Sequence, residues 1–504
     1  MSQTEWDLDY DVVVAGYGYA GGYAACAAHD AGATVAIFEK MRHFGGNSIL
    51  AGGGASCGTD YEGTLAYLEA TMAGSTDRAV LETYAAEMCD LEKVMTEFAE
   101  EVGFGTVSVR GGGTYPLPGS EQFKVVRFTR NESYKEFDWV TGAAAGATHM
   151  WIVHENVEKR NIPQYYESPV EQLVTGADGA ITGVVVKQDG KTLRVRANRG
   201  VILATGGFEH NARLITHYLP LREAYSMSPL GNTGDGVLMA QKAGAALWHM
   251  WHVHGSYGFR VPDTPIAIRA PFGGYRNHPS SGRGAGKMPW IAVDKFGKRF
   301  MNEWPRAAAD TPIRELEYYD VDLLDYPRIP CYLIFDEDGR QLGPIGSPKF
   351  NDEDQTFRWS QDNLTEVAKG IILKRESIQE LATAIGVDRA ALSATVTRWN
   401  EAYAQSIDAD FGRVPDAMMP IVKPPFYAIA AWPIITNTQG GPVHDAGQRI
   451  LDPYGEPVGS GRLYEAGELG AIWGHLYLLS GNIVECIVGG RIAGRNAATA
   501  EPWC

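Results

Sequence analysis

Three glycines near the amino terminus have the spacing of a nucleotide-binding turn. Gly16, Gly18 and Gly21 follow an apolar run in the pattern G-x-G-x-x-G. The first permits a tight turn, the second leaves room for a pyrophosphate, and the third lets a helix pack closely on a strand. Glu39 ends the next apolar run, where a carboxylate can accept hydrogen bonds from ribose hydroxyls. The spacing predicts a dinucleotide site.

Two strands and a helix must hold these residues in place. Residues 12–15 and 35–38 are short apolar runs suited to buried strands, and the small residues 22–31 suit a helix packed closely on a sheet. The N-terminus of that helix would offer free N–H groups and a partial positive charge to phosphates. The alternative is a glycine-rich packing of helix on strand that binds no ligand.

The sequence of the loop after Glu39 indicates which dinucleotide is bound. Residues 40–54 contain two glycine-rich runs, Gly45-Gly46-Asn47-Ser48 and Gly52-Gly53-Gly54, where an NAD-binding domain usually continues to another helix. This loop resembles the flavin loop of the fumarate reductase and succinate dehydrogenase flavoprotein superfamily, whose members use FAD. The loop has no histidine after Gly46, so we expect FAD to be bound without a covalent link.

Further motifs resemble the same superfamily and occur in the expected order. Thr205 follows an apolar strand, Asp235 lies in a T-G-D-G element, Glu468 ends an A-G-E motif, and Asn482 precedes a small-residue helix over 483–498. The N-terminus of that helix would stabilise negative charge on a reduced flavin. The resemblance implies that FAD is bound by Gly16, Gly18, Ala20, Gly21, Glu39, Lys40, Gly45, Gly46, Asn47, Ser48, Gly52, Gly53, Val170, Thr205, Gly206, Asp235, Glu468, Asn482 and Ile483.

The resemblance also implies an α/β fold with two kinds of domain. A Rossmann-like FAD-binding domain of the glutathione-reductase type is expected over 1–257 and 431–504, with an inserted α+β substrate-capping domain over 258–430. Hydrophobic periodicity predicts helices within 60–103 and 376–405, and a strand meander over 165–195. The glycine- and aromatic-rich residues 104–148 are predicted to be irregular, and the helix after Gly231 is predicted to run through Ala246.

Composition narrows the class of protein. The chain has 504 residues and a net charge of −17, which argues against a nucleic-acid surface. Its six cysteines lack metal-ligand spacing, and His249, His252 and His254 have no acidic partner nearby, so we expect no metal site. The acidic amino terminus lacks a signal pattern and no other stretch is apolar enough to span a bilayer. We therefore expect a cytoplasmic protein without a transmembrane segment.

Two branches of the superfamily are candidates for the chemistry. Fumarate-type reductases hold a dicarboxylate with an arginine in N-R-x-G-G-N, and Leu478 stands at that arginine's place. A charge-assisted hydrogen bond is worth roughly 1.5–3 kcal/mol, and an arginine fork gives two. The change argues against a fumarate-like substrate.

The 3-ketosteroid dehydrogenases and related cyclic-ketone desaturases form the other branch. They carry a tyrosine followed four residues later by a glycine, and Tyr477 and Gly481 match that spacing. The resemblance implies that the Tyr477 O–H and the Gly481 N–H hold a ketone oxygen and stabilise its enolate. An FAD-dependent oxidoreductase acting on CH–CH groups would then remove or add hydrogen beside the carbonyl of a cyclic ketone. The alternative for Tyr477 is a buried aromatic side chain.

Two roles in proton transfer are open for the arginine that follows the Asn-Glu pair. Arg306 follows the Asn-Glu pair where the steroid branch has a tyrosinate base. It either polarises a tyrosine such as Tyr115 or Tyr134, or donates a proton in a fumarate-reductase-like reduction of an unsaturated carboxylate or enone. Tyr115, His254 and Ser480 are the predicted substrate-binding residues.

The electron partner is not identified by any motif. The chain has no second G-x-G-x-x-G in a strand–turn–helix context for NADPH, and no haem or iron–sulfur cysteine pattern. Oxygen, a quinone or a partner protein is expected as the acceptor. A different class, a flavin electron-carrier subunit without a substrate of its own, stays open, although such a carrier has no need of an aromatic-rich cap.

Overall fold

The computed structural model describes residues 6–271, 286–305, 311–478 and 480–503. Within them the strands are β1 Leu8–Ala15, β2 Val35–Phe38, β3 Gly54–Gly58, β4 Gly105–Gly111, β5 Phe123–Thr129, β6 Gln164–Tyr165, β7 Val170–Thr175, β8 Ile181–Gln188, β9 Lys191–Leu203, β10 Tyr225–Ser226, β11 Leu247–Trp248, β12 Val253–Phe259, β13 Ile268–Arg269, β14 Ile291–Val293, β15 Cys331–Asp336, β16 Leu373–Arg375, β17 Phe426–Thr438, β18 Gly441–Pro442 and β19 Leu463–Glu465. The helices are α1 Tyr19–Asp30, α2 Tyr61–Met72, α3 Arg78–Glu100, α4 Ala145–Lys159, α5 Ala212–Tyr218, α6 Asp235–Lys242, α7 Thr311–Leu316, α8 Glu337–Arg340, α9 Leu364–Ala368, α10 Ile378–Ile385, α11 Arg389–Gln405 and α12 Gly481–Thr499.

The first large sheet carries the glycine turn. Its strand order is β6-β2-β1-β9-β8-β7, and β19 pairs with β9. β1 runs parallel to β2 and β9, whereas β7, β8 and β9 form the predicted antiparallel meander. Val12, Val13 and Val14 have no exposed surface, because both faces of the parallel strands are covered. The predicted α/β fold is confirmed.

Helices α1 and α12 pack against each other through small residues. A Cβ at Gly494 would lie 2.3 Å from the carbonyl oxygen of Ala24, and one at Gly490 would lie 2.7 Å from that of Ala20. Side chains at these two positions would separate the helices. The small residues of both segments therefore serve this close contact, which brings the N-terminus of α12 toward the glycine turn.

The second large sheet contains most strands of the predicted cap segment. Its order is β13-β12-β17-β15-β14, with β10 and β16 also paired to β17. The predicted cap boundaries at 257/258 and 430/431 fall inside β12 and β17, and β10 precedes both. The second sheet thus begins before the predicted cap segment and ends after it, while the division into three segments stays a prediction.

The predictions for individual elements had mixed outcomes. Helices α2 and α3 lie within 60–103, and α10 and α11 lie within 376–405, as expected. The prediction of irregular structure over 104–148 is wrong, because β4 and β5 pair there in a sheet with β3. The helix expected through Ala246 ends at Lys242. No helix in the described part of the chain is long and apolar enough to cross a bilayer.

Candidate functional site

A cavity opens where three parallel strands end. Ala15 and Ala204 line it at or just beyond the carboxyl ends of β1 and β9, and Phe38 does so at the end of β2. Parallel sheets bind ligands at this edge. The cavity therefore lies where the sequence predicts a dinucleotide.

The glycine turn has no room for side chains. Gly16 has a φ of +102°, and a Cβ there would lie 2.3 Å from the Ala204 carbonyl oxygen. A Cβ at Gly21 would lie 2.0 Å from the Gly16 carbonyl oxygen. Helix α1 begins directly after Gly18, which has no side chain to cap it, and the Ser48 hydroxyl accepts from the N–H of Tyr19 at 3.0 Å. The backbone at this end of the cavity is thus accessible to a phosphate.

Glu39 is held at the end of β2 by the backbone. Its Oε2 accepts from the N–H of Tyr17 and its Oε1 accepts from the N–H of Met41, both at 2.8 Å. Burial raises the pKa of this carboxyl, although the two N–H groups oppose the shift. Each oxygen keeps a second lone pair, which suits the hydroxyls of a ribose.

An ion pair borders the same cavity. Lys40 Nζ donates to Asp235 Oδ2 at 2.7 Å and to Thr233 Oγ1 at 2.6 Å, and Asp235 also accepts from the Thr233 hydroxyl. Asp235 begins α6, where a carboxylate is favoured by the helix dipole. Lys40 and Asp235, which are distant in sequence, are thus fixed together.

Several buried polar atoms at this cavity and at the start of α12 have no hydrogen-bond partner among the described residues. They are Thr205 Oγ1, Asn232 Nδ2 and both amide atoms of Asn482. Thr205 and Asn232 line the cavity, and Asn482 lies in the first turn of α12. Buried polar groups are normally paired, so these atoms fit a ligand that carries many polar groups. FAD, with its ribityl hydroxyls, phosphates and ring carbonyls, is such a ligand.

Most of the predicted cofactor residues line this one cavity: Gly16, Gly18, Ala20, Glu39, Lys40, Gly46, Asn47, Ser48, Val170, Thr205, Gly206, Asp235 and Glu468. Of the others, Gly21, Gly45 and Gly53 are tightly packed against protein atoms, whereas a Cβ at Gly52 would meet nothing within 4 Å. Asn482 and Ile483 lie at the start of α12.

Other lining residues were not predicted: Tyr17, Met41, Pro229, Gly231, Asn232, Ala466 and Cys486. Most of them have no distinctive residue type. Asn232 could have been predicted as a lining residue, because it lies in the same glycine-rich run as Asp235.

A pair of carboxyl groups lies beside the cavity. Glu209 and Glu468 are both buried, and their side chains hydrogen-bond to each other. Burial, followed by the charge of Glu209, raises the pKa of Glu468 well above its usual range. Glu209 was missed because it is one residue beyond the Thr-Gly-Gly-Phe turn and belongs to no motif that we recognised.

Tyr477 and His254 form a stacked pair. Their ring centroids are 4.2 Å apart and their planes differ by 15°. His254 Nδ1 lies 3.1 Å from Asn437 Oδ1, and the hydroxyl of Tyr115 donates to the Tyr477 carbonyl at 3.1 Å. The predicted residues Tyr115, His254 and Tyr477 are thus brought together.

The Tyr477 hydroxyl lies at the N-terminus of α12. The backbone N–H of Asn482 hydrogen-bonds to it, and Arg269 interacts with it electrostatically. Both lower its pKa, but burial is the largest influence and raises it well above the usual range. The phenol therefore stays protonated at neutral pH.

The structure differs from the prediction at Gly481. Its N–H donates to the carbonyl of Leu478 at 2.7 Å and is not directed to a ligand. The reason is the sharp entry into α12, where Ser480 takes a left-handed conformation with φ of 72°. A Cβ at Gly481 would also lie 2.7 Å from the Trp473 ring. The N–H in contact with Tyr477 belongs to Asn482 instead.

Two further predictions concern Arg306 and the histidines. Arg306 lies outside the described residues, so its role stays a prediction. His249 hydrogen-bonds to the carbonyls of Ala471 and Ser75, and His252 to that of Trp473. No group of three possible metal ligands occurs in the ranges that the structure describes.

Comparison with known protein families shows to which family the chain belongs. The family profile described as "FAD binding domain" matches residues 11–484. The chain belongs to the FAD binding domain family. This confirms the predicted superfamily, and FAD is the cofactor of this oxidoreductase fold.

Named relatives resemble the chain over nearly its whole length. NADH:fumarate oxidoreductase of Klebsiella pneumoniae (strain 342) is 26% identical over 501 residues, which cover 97% of this chain and 48% of that protein. A probable fumarate reductase of Shewanella frigidimarina (strain NCIMB 400) is 28% identical over 495 residues, 97% of this chain and 74% of the relative. The chain thus spans about half the length of the first relative.

A solved structure shares the fold. The 3-ketosteroid delta1-dehydrogenase of Sterolibacterium denitrificans, in complex with 1,4-androstadiene-3,17-dione, aligns with a TM-score of 0.81 and 24% identity. The alignment covers 97% of this chain and 99% of that one. The two chains therefore share one fold over nearly their whole length.

Proposed function

We propose that this oxidoreductase removes or adds hydrogen across the C–C bond next to the carbonyl of a cyclic ketone. The observation that carries the proposal is the buried Tyr477 phenol, stacked on His254 and in contact with the N–H of Asn482. A phenol oxygen that accepts from a helix N-terminus keeps its own O–H available for a ligand. A ketone oxygen is the matching acceptor.

The electrostatics around Tyr477 suit a developing enolate. When a carbon beside a ketone loses its proton, negative charge moves to the carbonyl oxygen, and an O–H donor in a water-poor site stabilises it. The Asn482 N–H and Arg269 both favour negative charge on the Tyr477 oxygen, which makes its O–H a stronger donor. In place of Gly481, these two groups support the tyrosine.

FAD, when bound, accepts the hydride from the second carbon in desaturation or returns it in reduction. The similar proteins are named for both directions, since they include fumarate reductases and a 3-ketosteroid dehydrogenase. Transfer of a proton at one carbon and of a hydride at its neighbour is common to both directions. These names support the proposed reaction type. The substrate of this protein has to be identified by experiment.

The test is anaerobic reduction of the bound FAD. The purified holoprotein is mixed in turn with cyclohexanone, a 3-ketosteroid and succinate, and the visible flavin absorbance is followed. Bleaching by either ketone supports the proposal, and the two rates rank a small ring against a steroid. Bleaching by succinate alone contradicts it. No bleaching by any of them, with reoxidation of the dithionite-reduced protein by cyclohexenone, would indicate the reducing direction on the same bond.

The same experiment separates an enzyme from an electron carrier. A carrier subunit exchanges electrons with proteins and has no reason to react with an isolated ketone or enone. Reaction in either direction without any added protein excludes that class. Failure in both directions, together with reduction by a partner protein, would favour it.

The electron acceptor and the location in the cell are further parts of the proposal. We expect oxygen, a quinone or a partner protein to reoxidise the FAD, which stopped-flow mixing with each acceptor compares directly. We expect a cytoplasmic location, because the five cysteines within the described ranges are free and four of them are buried. Fractionation of the source cells checks it.

A further inference from the structure

The segment that leads through Tyr477 to the start of α12 has no regular secondary structure. The structure describes all of residues 470–478, and none of them lies in a helix or a strand. Buried backbone carbonyls outside helices and sheets need other hydrogen-bond partners. Side chains from distant parts of the chain hold them here, so the position of Tyr477 depends on those contacts.

Part of this support comes from the run 248–254, which is rich in tryptophan and histidine. Three of its side chains donate to carbonyls of 470–478: Trp248 Nε1 to Gly470 at 2.9 Å, His249 Nδ1 to Ala471 at 2.7 Å and His252 Nδ1 to Trp473 at 2.5 Å. A carbonyl oxygen only accepts, so each of these ring nitrogens carries a hydrogen. The run therefore holds the backbone that leads to Tyr477.

Arg314 of α7 holds the same segment from the predicted cap segment. Its Nη2 atom carries two hydrogens and donates to the His475 carbonyl and, at 3.2 Å, to Nε2 of His252. Nε2 is an acceptor because the hydrogen of the neutral ring is on Nδ1, which donates to the Trp473 carbonyl. One guanidinium thus holds His475 directly and Trp473 by way of His252.

The packing of α7 on β12 fixes the place of Arg314. Ile313 has no exposed surface, and a Cβ at Gly255 would lie 2.7 Å from its Cδ1 atom. The glycine therefore lets α7 lie close to the strand that follows His252. The Arg314 guanidinium also lies 5.5 Å from the centre of the Trp251 ring, within the range of a cation–π attraction.

The hold on His475 bears on the phenol that the proposed reaction uses. Only Leu476 separates His475 from Tyr477, so a shift of the His475 carbonyl moves the Tyr477 backbone as well. A misplacement of about 1 Å can slow a reaction about 10²-fold. The contacts of Arg314 are therefore close enough in the chain to affect where the Tyr477 hydroxyl points.

We propose that Arg314 is a positioning residue, which holds the backbone at Trp473 and His475 so that the Tyr477 hydroxyl meets the ketone oxygen. This rests on the proposed function, in which Tyr477 binds that oxygen. Arg314 acts through the backbone and through His252, and needs no contact with the ketone. The tryptophan and the two histidines that donate to carbonyls have the same role from the other side of the segment.

The first test is the rate at which cyclohexanone reduces the FAD of the holoprotein, or cyclohexenone reoxidises it. We expect Arg314→Met to slow the limiting rate about tenfold, and Arg314→Lys to retain part of it, since an ammonium can donate to His475 but lacks the planar fork. Arg328→Met is the matched control, because Arg328 donates to the Glu315 carbonyl within the predicted cap segment. FAD content and Tm check that each variant is folded.

A double-mutant cycle with Tyr477→Phe separates positioning from a general structural role. If Arg314 acts through the phenol, Arg314→Met should have almost no further effect once the hydroxyl is gone, so the two substitutions are strongly non-additive. If the tenfold effect persists in the Tyr477→Phe background, Arg314 acts by another route and the proposal is overturned.

Hydrogen exchange of the holoprotein tests the positioning without any reaction. Arg314→Met should increase amide exchange in 473–478 several-fold, whereas Arg328→Met should leave it unchanged. If exchange rises but no ketone or enone reacts with any variant, the hold on the segment stands and the proposed reaction is wrong. If the ketone reaction depends on Tyr477 but Arg314→Met changes neither rate nor exchange, the reaction stands and the role of Arg314 is wrong.

Discussion

Glu209 and Glu468 accept hydrogen bonds from the same backbone N–H, that of Thr438, at 3.0 and 3.2 Å. Two carboxyl groups this close cannot both ionise without strong repulsion, so the pair holds a proton at neutral pH. Glu468 lines the cofactor cavity. A proton is therefore stored at the edge of the cofactor cavity, in a group that the surrounding protein keeps neutral.

Replacing Glu209 with Gln should weaken the hold of Glu468 on that proton, although burial still favours the neutral form. The like charge that raises the pKa of Glu468 disappears, so its pKa falls and the carboxylate form becomes populated at lower pH. We expect the pH at which the FAD midpoint potential changes slope to move down by about one unit. Spectroelectrochemical titration at several pH values measures it. An unchanged inflection, with FAD content normal, would show that the pair does not affect the flavin.

A second buried carboxyl predicts how stability depends on pH. Glu485 of α12 accepts from the Tyr84 hydroxyl at 2.7 Å, and burial raises its pKa from 4.5 to about 8. The folded protein keeps this proton and the unfolded chain loses it, so stability falls as the pH rises from about 4.5 to 8. The loss is up to about 5 kcal/mol, at about 1.4 kcal/mol per pH unit.

Glu485→Gln should remove this dependence, because an amide resembles the protonated carboxyl and does not ionise. We expect the Tm of the variant to exceed that of the wild type by several degrees at pH 8 and to approach it at pH 5. Differential scanning calorimetry across this range makes the comparison. A constant difference at all pH values would mean that Glu485 is ionised in the folded state.

Tyr477→Phe should slow reduction of the flavin by a ketone about 10²- to 10³-fold, the usual effect of removing one oxyanion donor. FAD content should be normal, because the ring and its stacking on His254 are retained. Stopped-flow single-turnover measurements give the rate. Tyr115→Phe is the comparison, since the Tyr115 hydroxyl donates to the backbone of Tyr477, and its effect should be much smaller. Equal effects would remove Tyr477 from the proposed role.

The glycine loop allows a matched pair of substitutions. Gly21→Ala places a Cβ 2.0 Å from the Gly16 carbonyl oxygen, whereas Gly52→Ala places one in open space. We expect the first variant to lose bound FAD and the second to retain it, as measured by the ratio of visible to ultraviolet absorbance. If Gly52→Ala also loses FAD, the space beside Gly52 is occupied by the cofactor itself.

The sequence predicted positions most accurately where only one residue type meets the physical requirement of the site. Gly16 and Gly21 lie where a Cβ would collide with backbone, and Glu39 ends a strand at the cavity edge, so their types alone indicate their places. The strand pair β4–β5 was missed because the many glycines and aromatics of 104–148 conceal its short alternation. The overall composition of 104–148 therefore led to a prediction of irregular structure, although the pairing of β4 with β5 determines the structure there.

The cap side of the site could not be predicted from local patterns. Ser347 and Arg269 are distant in the chain and meet because the N–H of Ser347 donates to the carbonyl of Arg269 at 3.0 Å. Gly481 has the expected spacing from Tyr477, yet the left-handed turn at Ser480 directs its N–H to Leu478. Spacing specifies which residues are near one another, whereas the direction of an N–H depends on dihedral angles that the sequence does not reveal.

The long strands β12 and β17 limit how this protein can be recombined with its relatives. β17 extends for 13 residues and ends at Thr438, whose N–H contacts Glu209 and Glu468. In a chimaera joined at 257/258 and 430/431, β12 and β17 would each come partly from one protein and partly from the other. Their pairing register would then be disturbed. Junctions before Val253 and after Thr438 would transfer the cap with both strands whole, together with the backbone group that positions the two carboxyls. Exchange of caps is therefore also an exchange of the flavin's immediate surroundings.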